Sequence, residues 1–279
     1  MWVQTSPWAA FLWCLLSLLL YLSLCTYLHS LKKSIRISEL GEMDKRETGL
    51  VLSFLVLWLC LQFTLFSDRN LGSGQSIGYW LGLTVDLRAV LSSITAFTMT
   101  ILLFSGSFLQ AAISDDIQGL FGAINYTGAA ARAGVGEVLL RMGVVGLLSA
   151  SNVGGVWTTL VGTAWSGLSQ LHLCYFYSRV RRNRHQALSE HLLQVFIEET
   201  LSGLICTRFF LLTGRIYPCF LLHFLISALR FPDGLYLHPN HPAHRHRQLL
   251  TSAYVLGAGG FFALHFLLLD ATAYDSPFY

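Results

Sequence analysis

Charge is what this chain has least of. Only 12% of its 279 residues are Asp, Glu, Lys or Arg, against roughly 25% in a typical soluble domain. So few charges leave the surface of a water-soluble fold uncovered, and this excludes that class. Cysteine pattern is missing too. Cys14, Cys25, Cys60, Cys174, Cys206 and Cys219 form no CxxC and no regular framework, and most sit in apolar stretches. This argues against disulfides and zinc ligation and leaves small buried apolar side chains. No linker rich in Pro, Ser or Gly divides the chain, no internal repeat is visible, and no nuclear, nucleic-acid or phosphate-loop pattern occurs. A single domain over 1–279 is expected, with no nucleic-acid partner. Positive charge is also absent ahead of the first apolar run, since Met1 to Pro7 contains neither Lys nor Arg. A secretory signal has a basic start and a small-residue cleavage site, so the run 8–28 reads as a retained first span.

What is present in abundance is apolar sequence, 54% of the chain, in runs of the length that crosses a bilayer, about 20 residues. The runs are 8–28, 49–66, 89–113, 134–150, 156–177, 191–213, 216–229 and 250–269. They predict an all-α fold, a polytopic integral membrane helix bundle of about eight transmembrane helices. The fourth and seventh are short enough to be buried or tilted. Lys32, Lys33, Arg36, Lys45 and Arg46 follow the first run, Arg179, Arg181, Arg182 and Arg184 the fifth, and Arg230, Arg245 and Arg247 the seventh. If every run spans, these clusters share one side, and Arg69, Arg88 and Arg215 fall on the other. Basic short loops stay in the cytosol, so both termini are expected in the lumen. The net charge of +3 comes from these loops. The acceptor Asn125-Tyr126-Thr127 and the pair Asp115-Asp116 then fall in a cytosolic connection, the first unused and the second solvated.

Ionisable groups inside apolar helices are costly, and they mark function unless a partner neutralises them. Glu137 and Arg141 are four apart, on one helical face, and suit either an ion pair or a catalytic carboxylate held by its arginine. Glu198 and Glu199 put adjacent carboxylates in an apolar helix. Their repulsion and burial would raise one pKa, unless both are hydrated near a helix end. His223 has Ser227 one turn further along its face, and suits a structural hydrogen bond or a polar pocket. His172 stands two places after Gln170, so the two diverge. His238, His241, His244 and His246 lie in a Pro- and Arg-containing loop whose uneven spacing suits solvent better than a closed metal site. No metal and no cofactor is assigned.

The stretch 210–223, with Thr213-Gly214 leading to His223, and 227–232, ending in Phe231-Pro232, resembles a segment of the Ras-converting CAAX prenyl endopeptidases. In that segment a Thr-Gly turn enters a helix bearing a catalytic His, then an Asn, then Gly-Phe-Pro. Leu81-Gly82-Leu83, followed by an apolar run ending Phe104-Ser-Gly-Ser-Phe-Leu-Gln110, is similar to the family's earlier region. Over most of the chain, span number and spacing agree. The resemblance implies an endoplasmic-reticulum intramembrane protease that removes the last three residues from prenylated CAAX-ended proteins such as small GTPases. The prenyl chain partitions into the bilayer, so the scissile bond is met at a membrane cavity open to the cytosol. The core would lie in 134–232.

Position by position, the family's Glu-Glu-x-x-x-Arg falls on Gly136, Glu137 and Arg141. Its first His falls on Gln170, with His172 nearby, the second on His223, and its Asn on Ser227. The resemblance implies that Glu137 activates water, Arg141 orients it, His223 and Ser227 stabilise the oxyanion, and His172 or Gln170 completes the donors. Glu198 or Glu199 is the substitute base. The alternative is a pseudoprotease that keeps the fold and binds or regulates membrane or prenylated proteins. A proton-relaying transporter would need inverted-repeat symmetry, and the sequence has none.

Overall fold

Ser6 opens the first helix: its Oγ accepts from the Ala9 amide at 3.2 Å, and Pro7 occupies the first turn, where no amide donor is needed. Helix α1 (Pro7–Lys32) follows. The computed structural model describes residues 6–32, 56–58, 60, 82–114, 138–149, 151, 153–169, 171, 185–229, 235–268, 274, 276 and 278. The later helices are α2 (Leu87–Leu103), α3 (Ser105–Ile113), α4 (Val138–Ser149), α5 (Gly155–Ser169), α6 (His185–Thr213), α7 (Tyr217–Leu229) and α8 (Arg247–Leu268). Short 3₁₀ turns lie at Leu235–Leu237 and Pro242–His246. Among the described residues there is no strand.

Backbone and hydroxyl groups in apolar surroundings must be satisfied within the segment. The Ser and Thr side chains do this by bonding back one turn. Ser17 donates to the Trp13 carbonyl at 2.7 Å, Thr100 to Ala96 at 2.7 Å and Thr163 to Thr159 at 2.7 Å. Among the described residues two helical stretches are long and apolar enough to cross a membrane, Pro7–Tyr27 and Pro242–Leu268. A third counts if α2 and α3 form one span. Along α8, Val255, Leu256, Phe262, Phe266 and Leu267 are all exposed, as a surface that faces lipid would be.

The third apolar run was expected as one span, and the structure breaks it by 52° between α2 and α3. Phe104 sits at the break, fully buried. Helix α8 crosses there so closely that a Cβ on Gly257 would collide with the Leu102 carbonyl, and one on Gly106 with the Tyr254 ring. Ser105 Oγ donates to the Ala253 carbonyl at 3.1 Å. The break falls at the Ser105-Gly106 pair, and such pairs are a recognised place for a sharp kink. Among the described residues, α4 and α7, from the runs 134–150 and 216–229, are shorter than a full crossing needs, and α5, from the run 156–177, covers Gly155–Ser169. Helix α6 reaches 29 residues but carries Glu198, Glu199 and Arg208 within it.

The chain forms two compact units, interleaved along the sequence: one from 1–81 and 135–208, the other from 82–134 and 209–277. In the first, α1 packs on α5. Cys14, Leu18 and Tyr21 share a core with Leu140, Val144, Leu148 and Trp165. Trp58 stacks on Trp13 with ring centroids 4.5 Å apart and donates its Nε1–H to Ser17 Oγ at 2.9 Å. In the second unit α2 packs against α7 and α8, and α3 against α8.

Candidate functional site

Arg141 is the largest fully buried side chain among the described residues, 0% exposed. Helix α4 points it at α5, where Nη1 donates to Ser166 Oγ at 2.6 Å. Its Nε and Nη2 have no acceptor among the described residues. Small residues let the helices come close enough for this. Gly203 of α6 sits against Ser166, Gly167 against Thr200 and Phe196, and Gly162 against Thr207 and Val145, each with no room for a Cβ. Close backbone approach at glycine is how membrane helices pack. It also seals polar groups inside: Trp165 Nε1, Ser202 Oγ and Thr207 Oγ1 are buried on α5 and α6 with no partner among the described residues. Buried polar atoms without partners are few in folded proteins, and five of those among the described residues, on Arg141, Trp165, Ser202 and Thr207, lie on α4, α5 and α6.

The two glutamates of α6 lie in the same unit and are both half-buried. Glu198 accepts from Gln194 Nε2 at 2.8 Å in an exposed bond, which fits the hydrated alternative for that residue. Glu137, Gly136, Gln170 and His172 fall outside the described residues, as do Asp115, Asp116 and Asn125.

His223 belongs to the second unit, on α7, and is 8% exposed. The turn before α7 is fixed at many points. Gly214 takes a positive φ of 61°, and its amide donates to the Phe210 carbonyl at 2.7 Å. Opposite it Gly82 takes a φ of 64°, and its carbonyl accepts from the Ile216 amide at 3.2 Å. A Cβ on Gly82 would collide with the Gly214 carbonyl, so glycine is needed there for both conformation and space. Arg215 donates from Nη2 to Asp86 Oδ2 at 2.6 Å and from Nε to Oδ1 at 3.3 Å. Asp86 Oδ1 also caps α2, accepting from the Ala89 amide at 2.7 Å. The hydrogen bond from Arg215, reinforced by the Ala89 amide and by the positive charges of Arg215 and Arg88, holds the Asp86 carboxyl below its ordinary value against a smaller upward push from burial. Tyr217 OH completes the clasp on the Leu83 carbonyl at 2.8 Å. Ser227 follows His223 by one helical turn on the α7 backbone; its side chain lies outside what is described.

Beside this clasp α2 and α7 enclose an open groove of about 480 Å³, almost wholly apolar, lined by Val85, Val90, Ile94, Phe97, Tyr217 and Leu221 among others. The histidine loop is organised by local bonds. His241 Nδ1 accepts from the Ala243 amide at 3.1 Å, Arg245 Nε donates to His246 Nε2 at 2.9 Å, and Arg247 Nη1 lies 2.9 Å from His244 Nε2. Among the described residues no three His, Cys, Asp or Glu are placed to hold a metal ion.

Of the residues singled out by sequence, Arg141 and the Glu198–Glu199 pair fall in one unit and His223 and Ser227 in the other. Sequence reasoning missed the Ser166 acceptor, the buried Trp165, Ser202 and Thr207, and the Asp86–Arg215 pair. Asp86, standing just before an apolar run, carried the signal of a helix cap. Arg215 looked like an ordinary loop charge. No family model matches the chain, and no curated protein and no solved structure is similar enough to match it.

Proposed function

We propose that this chain is an intramembrane endopeptidase of the CAAX prenyl type, removing the last three residues from prenylated proteins such as small GTPases at the endoplasmic reticulum membrane. The observation that carries the reading is the buried imidazole of His223 on a helix entered through the Thr213-Gly214 turn. That is the turn and helix on which the resemblance rests, and a histidine among apolar helices is functional by default. The apolar groove between α2 and α7 suits the reading, because a prenyl chain needs a lining without polar groups. In this reading Glu137 activates the attacking water and His223, with Ser227, donates to the developing oxyanion. His172 or Gln170 adds a further donor.

The test is an assay of the purified full chain with a farnesylated peptide that ends in a CAAX sequence, alongside Glu137→Ala, Glu198→Ala and His223→Ala. The expected result is release of the tripeptide by wild type and Glu198→Ala, and loss with the other two. If wild type releases nothing yet still binds the peptide, the pseudoprotease reading replaces this one, with Gly136 at the first glutamate position as its cause.

A further inference from the structure

Among the described residues two arginines are buried, Arg141 and Arg215, and their guanidinium edges can be compared directly. In Arg215 the Nε–Nη2 edge is filled by a carboxylate, one oxygen to each nitrogen. In Arg141 the same edge has no acceptor among the described residues, although the side chain is completely buried and Nη1 is bonded to Ser166. An unneutralised guanidinium in an apolar helix bundle is expensive. It is retained where something completes it. Nε–H and Nη2–H are parallel donors with the spacing of the two oxygens of a carboxylate. A phosphate would bring more negative charge than one arginine offsets in apolar surroundings. Trp165 Nε1, Ser202 Oγ and Thr207 Oγ1, on α5 and α6 of the same unit, are further buried donors with no partner among the described residues.

We propose that the Nε–Nη2 edge of Arg141 is a carboxylate subsite, and that its ligand is the free C-terminal carboxylate of the peptide substrate. This rests on the endopeptidase reading for the ligand's identity, and it gives Arg141 a different task from orienting Glu137. Such a fork tells a chain end from an internal peptide bond, because an internal bond offers one neutral oxygen where the terminus offers two sharing a charge.

The experiment compares binding of two farnesylated peptides to the full-length protein in nanodiscs by fluorescence anisotropy, one ending in a free carboxylate and one in a carboxamide. The expected result is that wild type holds the acid at least about tenfold tighter, the scale of a charge-assisted bidentate bond. Arg141→Met should bind both equally, and Arg141→Lys, which keeps the charge without the fork, should fall between. Equal binding of the two peptides by wild type overturns the subsite, and so does binding of neither. Discrimination that survives in Arg141→Met overturns it as well. Discrimination that emerges only in Glu137→Gln overturns it too, since Glu137 of the chain would then be the carboxylate on Arg141. The wild-type comparison stands even if a variant fails to fold. Discrimination without cleavage removes the endopeptidase reading and leaves the subsite; cleavage of both peptides without discrimination does the reverse.

Discussion

Asp86 and Arg215 face each other edge to edge across 129 positions of sequence, Oδ2 on Nη2 at 2.6 Å and Oδ1 on Nε at 3.3 Å. The guanidinium is 4% exposed and the carboxylate 39%. The pair ties the start of α2 to the turn that launches α7, so the helix that bears His223 is anchored by a carboxylate 129 positions before that turn's arginine.

Acid should loosen this clasp. The carboxyl of Asp86 titrates below its ordinary value of 3.8 in the folded protein, so its contribution to stability is fully present above that value and disappears as pH falls through the depressed one. Hydrogen exchange at 82–86 and 213–217 should therefore stay slow down to about pH 4 and rise below it. Asp86→Asn should remove that acid step and lower stability at neutral pH by about 1–2 kcal/mol, discounted from a fully buried pair because the carboxylate is part-exposed. An unchanged acid profile in the variant would assign the step elsewhere.

Gly82→Ala and Gly214→Ala should each lower the thermal unfolding midpoint clearly, since a left-handed backbone costs an L-residue about 1–2 kcal/mol and Gly82 adds a collision with the Gly214 carbonyl. Gly259→Ala on α8, with open space around its Cβ position, is the control. It should be neutral or stabilise by up to about 1 kcal/mol from helix propensity alone. If all three behave alike, the turn is not held as tightly as its bonds indicate.

Ser166→Ala takes from Arg141 its one described acceptor. The loss should be about 1–3 kcal/mol, the cost of leaving a buried charged donor unsatisfied, measured by thermal unfolding in detergent. Ser151→Ala, whose hydroxyl bonds back to the Leu147 carbonyl at 2.8 Å, should cost far less. Equal effects would mean that the bundle rather than the guanidinium sets the cost.

The helical, apolar character of the chain was legible at once, because long runs of Leu, Phe, Ala and Val have no other way to satisfy their backbone in hydrocarbon. Run length told less about crossing. The run 89–113 has the composition of one span, yet its direction changes at Phe104 because Gly257 and Gly106 admit α8 against it. A contact between residues some 150 positions apart is invisible to any window of sequence. Arg141 was recognisable as costly where it stands, and the sequence offered as its companion Glu137, which lies outside the described residues. The acceptor that the structure provides is Ser166 of α5, a hydroxyl that nothing in the pattern 155–169 distinguishes from its neighbours. Asp86 and Arg215 each looked like a loop charge, and only the fold makes them one object.

Because the two units are interleaved along the chain, neither can be finished in the order of synthesis. Residues 82–134 leave the ribosome before 135–208 yet must wait for 209–277, while the segment 1–81 stands without its counterpart until 208 has emerged. Helices that wait in this way need a sheltering insertase or chaperone for the interval. Truncation after residue 208 should yield one half-built unit beside a completed one, a species prone to capture by quality control.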